Sequence, residues 1–95
     1  MRWPHVLGLL DQLRQDPSPE AENALVDAAM FDGEIRLDPG PGYPHSMPPE
    51  QLLKLLAIQL LARKNLSRHR KLIRRIATNA HSDRVRETAL QLSRR

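Results

Sequence analysis

Apolar positions along the chain recur mostly at helical spacing. Val6, Leu9 or Leu10, and Leu13 lie three to four residues apart after Pro4, which suits a first helical turn. The segment "QDPSPE" ends that helix. Ser18 then offers an N-cap, Pro19 a first helical position, and Glu20 and Glu22 acids for the first turn. The second helix runs to about Met30, with Ala21, Leu25, Ala28 and Ala29 inward. From Pro48 or Pro49 the segment "EQLLKLLAIQLLARK" is apolar nearly all round, as expected of a helix at the centre of a bundle or one with a face on another subunit. Asn65 reads as its left-handed C-terminal residue. Ser67 reads as the N-cap of a fourth helix, with Leu72, Ile73, Ile76, Ala77 and Ala80 on one face. Arg68, Lys71, Arg74 and Arg75 fall opposite, and His69 falls toward the apolar side. "NAHSD" breaks the chain. Ser82 caps a fifth helix with an inward stripe of Val85, Ala89 and Leu92, and Arg84, Gln91, Arg94 and Arg95 outward.

Residues 31–47 follow neither period. Pro39, Pro41 and Pro44 alternate with Gly40 and Gly42 there, which no helix survives, although Glu34 to Leu37 could form a short extended piece. The pattern therefore predicts an all-α fold of about five short helices in stacked antiparallel hairpins, HEAT-like or an orthogonal bundle, with a long Pro/Gly loop at 31–47. Its 95 residues suit a single helical domain.

Composition sharpens this. Aromatics are 3% of the chain, namely Trp3, Phe31 and Tyr43, so the core is aliphatic, which favours packed helices over a sheet. There is no cysteine, which removes disulfides and thiolate metal sites. The apolar run from Val6 to Leu10 is too short for a signal-peptide core, and the run from Leu52 to Ala62 is far short of a membrane span. The expectation is a cytoplasmic protein, and the initiator Met favours a free-standing one.

Charge is more informative. The net +4 hides a division: residues 1–53 carry three arginines against nine acids, whereas residues 54–95 carry nine arginines and three lysines against Asp83 and Glu87. The chain thus divides into an acidic helical hairpin at 1–30, the loop at 31–47, and a basic three-helix part at 48–95. The stretch "NLSRHRKLIRRIA" sets cations at a predicted helix start, where the partial positive charge of unpaired N–H groups favours acids. A bound anion reverses the sign of that effect.

The end of the chain, "LIRRIATNAHSDRVRETALQLSRR", resembles a HEAT-type repeat over residues 72–95, with Asp83, Val85, Arg86, Ala89 and Leu92 at the places where the second helix of such a unit opens and packs. A fainter echo over residues 9–29 has Asp16, Pro17, Ala24 and Leu25 but lacks the Val-Arg step. The resemblance implies helical pairs that stack on neighbours, and structural roles for Asp83 and Arg86. Proteins of that type mostly scaffold other proteins, and some bind nucleic acid along a basic face.

The expected function is a non-catalytic module engaging the nucleic-acid phosphate backbone through Arg63, Lys64, Ser67, Arg68, Arg70, Lys71, Arg74 and Arg75. With no aromatics beside the cluster for bases to stack on, duplex is favoured over single strand. The competing expectation is an adaptor that docks on an acidic protein or self-associates through its acidic and basic halves, a homodimer included. An outward cationic face that is simply solvated is the plain alternative. Tyr43 and His45 mark the loop as a partner-binding candidate. His45 beside Ser46 is not a triad, and His5, His45, His69 and His81 lack metal-pair spacing, so no catalytic residue, metal or cofactor is expected.

Overall fold

The computed structural model describes residues 3–30 and 48–95. Four helices make up the fold among them: α1 (Trp3–Gln15), α2 (Pro19–Ala29), α3 (Pro49–Asn79) and α4 (Asp83–Ser93). No strand occurs among the described residues. The expected short extended piece at Glu34–Leu37, and the loop residues Tyr43 and His45, lie outside them.

Local chemistry sets most helix ends. The Ser18 hydroxyl accepts from the Ala21 N–H at 3.2 Å, and Pro19 follows at the first helical position. The Ser82 hydroxyl accepts from the Val85 N–H at 3.4 Å to open α4. Pro49 occupies the first position of α3. The turn before α4 is braced by Arg86, whose Nη1 donates to the Ala80 carbonyl at 3.1 Å while Nη2 bonds Asp83. Asp83 and Arg86 thus pair within one helical turn.

The predicted break at Asn65 takes another form. The two helices expected there are one helix, α3, kinked where Asn65 alone leaves helical geometry. Its φ of −164° and ψ of 87° are extended, not left-handed. The Asn65 side-chain oxygen accepts from the Arg68 N–H at 3.1 Å. Asn65, and not Ser67, therefore caps the second segment of α3. Both residue types make good caps, and the side chain placed three positions before an N–H takes the bond.

The core is aliphatic with Trp3 at one end. Leu25, Ile58, Leu61, Ile73 and Val85 have no measurable exposure, and Leu52, Leu55 and Ala57 belong to the same cluster. Helix α3 packs against all three others, its largest interface being with α4. Its central position explains a segment apolar nearly all round. On α1, Leu10 is buried while Leu9 is half exposed at 48%, which resolves the ambiguity left by the spacing. On α2, Ala29 is fully buried and Ala28 only partly so. Lys54 is an exception within α3, only 8% exposed on a helix whose neighbours are leucines.

Candidate nucleic-acid interface

The basic stretch does not begin at an open helix end. Helical chain from the first segment of α3 runs into it across the Asn65 kink. The cations that follow separate into two groups according to what each meets.

The first group turns toward the acidic hairpin. Glu22, in the first turn of α2, reaches His69 and Arg68 together. The His69 Nε2 lies 2.7 Å from Glu22 Oε1, and Arg68 Nη1 lies 3.4 Å from Oε2. A carboxylate only accepts, so the ring carries a proton on Nε2. Both side chains of the His69–Glu22 pair are largely buried, at 8% and 15% exposure. The bond from His69 holds the Glu22 carboxyl below the usual carboxylate range, helped by the charges of Arg68, His69 and Lys64 and opposed by burial. Lys64 reaches the same hairpin, where its Nζ donates to the Asp16 main-chain oxygen at 2.5 Å. Asp16 is lowered too, chiefly by the bond it accepts from the Ser18 N–H, which is 2.9 Å long. Arg63 lines the groove between α1 and α3 beside Asp11 and Arg14. Ser67 is exposed.

The second group forms no ion pair with an acidic side chain among the described residues. The side chains of Lys71, Arg74 and Arg75 are exposed and form no hydrogen bond or ion pair among the described residues. Arg74 and Thr78 line two adjoining clefts. One holds Lys71 and Arg75; the other, between α3 and α4, holds Arg70, Leu90, Arg94 and Arg95. No acidic side chain lines either cleft. Arg70 turns toward α4, where its Nη2 donates to the Arg95 main-chain oxygen at 2.7 Å.

The eight residues singled out from sequence therefore do not form one site. Arg63, Lys64 and Arg68 meet α1 and α2. Arg70, Lys71, Arg74 and Arg75 form one continuous face, to which the structure adds Arg94 and Arg95. Their outward direction was legible from helical spacing, but their closeness to Arg70 needed the α3–α4 packing. The partner of His69 had no sequence signal, because Glu22 is 47 positions away.

Among the described residues, no group of three or more His, Asp or Glu could hold a metal ion, and no helix is long and apolar enough to cross a membrane. No family model, curated protein or solved structure matches this chain.

Proposed function

We propose that this chain is a non-catalytic binding module that engages the phosphate backbone of duplex nucleic acid through the face formed by α3 and the end of α4. One observation carries the reading: Arg70, Lys71, Arg74, Arg75, Arg94 and Arg95 share adjoining clefts lined by no acidic side chain among the described residues. A cation spent on stability would sit against an acid of the same chain, as Arg68 sits against Glu22. Five of these six are arginines, whose planar fork suits phosphate oxygens. Trp3, the one aromatic among the described residues, is buried in the core, so base stacking has no platform on this face. The stacked α3–α4 hairpin is compatible with a HEAT-like arrangement in which the outer helices present the charged surface.

The test is duplex binding as a function of salt. Five phosphate contacts predict that log K falls against log salt with a slope of about −4.5. Affinity undetectable at 20 mM salt contradicts the reading.

An adaptor role draws on a different surface. Leu7 and Leu9 on α1 are 44% and 48% exposed, and Leu7 borders a groove with Leu10, Leu56 and Leu60 rimmed by Asp11, Arg14 and Arg63. Under this second reading Leu7→Glu abolishes partner capture and leaves duplex binding unchanged.

A further inference from the structure

Lys54 stands out among the leucines of α3. The residue is only 8% exposed and forms no hydrogen bond or ion pair among the described residues. Burying a lysine without a partner is costly, and an anion that reaches the ammonium relieves the cost. Lys54 lines a cleft where the end of α2 meets both segments of α3. Arg75 and Asn79, one helical turn apart on the second segment, line it too, and Met30, Leu72 and Ile76 supply apolar wall. No acidic side chain among the described residues lines it. The C-termini of α2 and α3 border the cleft, and each carries roughly half a negative charge. Two full positive charges outweigh that.

We infer that this cleft binds a small monocarboxylate whose body is apolar. The carboxylate sits between the Lys54 ammonium and the Arg75 guanidinium, and the body lies against Met30, Leu72 and Ile76. The cleft has a volume of about 170 Å³, close to the roughly 150 Å³ of an apolar cavity that holds benzene. The walls select the chemical class. A phosphate brings more charge to desolvate and no apolar surface to bury, whereas a carboxylate brings one charge and each methylene behind it gains from leaving water. The Asn79 amide offers a further donor at the cleft. Arg75 also lines the open basic cleft with Lys71 and Arg74. The site nevertheless does not depend on the duplex-binding reading, because Lys54 belongs to neither basic cleft.

The test titrates isovalerate into the isotopically labelled full chain, with chloride at matched ionic strength as control. Acetate supplies the same charge without the body. The backbone amide signals of Met30 and Ile76 should shift saturably with isovalerate and little with chloride. Isovalerate should bind about tenfold more tightly than acetate, since its extra carbons leave water. Equal responses to isovalerate and chloride, or equal affinities for isovalerate and acetate, overturn the site. Lys54→Met keeps an unbranched buried stem and removes the charge, and it should abolish the saturable response. A response that survives in the folded variant also overturns the site. Should Lys54→Met fail to fold, Arg75→Gln at an exposed position should weaken isovalerate about fivefold, the equivalent of one charge-assisted hydrogen bond. Unchanged affinity there counts against the site. Lys71→Gln/Arg74→Gln alters only the open face and should leave isovalerate affinity within about twofold. Loss of binding in that variant assigns the response to the open face and removes the site. No arm uses a duplex, so failure here leaves the function proposed above standing.

Discussion

Glu22 is the residue on which the acidic and basic parts of the chain meet. It accepts from His69 and Arg68, and its carboxyl is held below the ordinary value of 4.5. The folded chain therefore releases the Glu22 proton more readily than the unfolded one. Its contribution to stability is complete above the unfolded value and is lost as pH falls through the lower folded value. Glu22→Gln should lower the thermal midpoint at neutral pH and flatten the fall in stability below about pH 4.5, as read by circular dichroism melts across pH. Asn65 acts through a single bond to the Arg68 N–H. Asn65→Ala should cost about 1 kcal/mol in chemical denaturation. Some of this scale was readable from sequence. Ser18 and Ser82 cap as expected because a cap is chosen within three or four residues. Asn65 and Ser67 compete two positions apart, and nothing local decides between them. The His69–Glu22 bond joins distant positions, and only the packing of α2 on α3 reveals it.

At the scale of elements, α3 organises the molecule. Ile58 and Ile73 lie on either side of the kink and are both fully buried, so each segment brings its own anchor to one core. Ile58→Ala and Ile73→Ala should each cost about 2–5 kcal/mol, measured by urea denaturation. The inward stripes of α2, of the second α3 segment and of α4 were visible in the 3.6-residue period. What the period missed was the continuity of α3, because a strong cap-forming pair looks like a break whether the chain stops or only bends. The inward turn of Leu10 and the burial of Lys54 depend on which neighbour each helix meets. Arg86 links elements directly, through the Ala80 carbonyl at the end of α3 and Asp83 at the start of α4. Arg86→Ala should cost about 1 kcal/mol by loosening that turn.

Over the whole molecule, the charge division seen in sequence becomes a division of surface. Among the described residues the acidic hairpin meets the cations near the kink, with Glu22 pairing with Arg68 and the Asp16 main-chain oxygen accepting from Lys64. Its end, at Ala29 and Met30, shares a cleft with Arg75, but among the described residues none of its carboxylates pairs with Lys71, Arg74 or Arg75. Sequence gave the amount of positive charge but not this sorting, which depends on the placement of α2 against the kink. Placement, rather than total charge, is the central claim, and it is tested most directly by removing equal charge from each group. Fluorescence anisotropy with a labelled duplex at 20–200 mM salt would compare the unaltered chain with Lys64→Gln/Arg68→Gln and with Arg74→Gln/Arg75→Gln. The account predicts that the second pair lowers the steepness of the log–log salt plot by about two and weakens binding at least tenfold at low salt. The first pair should leave affinity within about threefold, since screened, already paired charges contribute little. Equal losses from both pairs would contradict it.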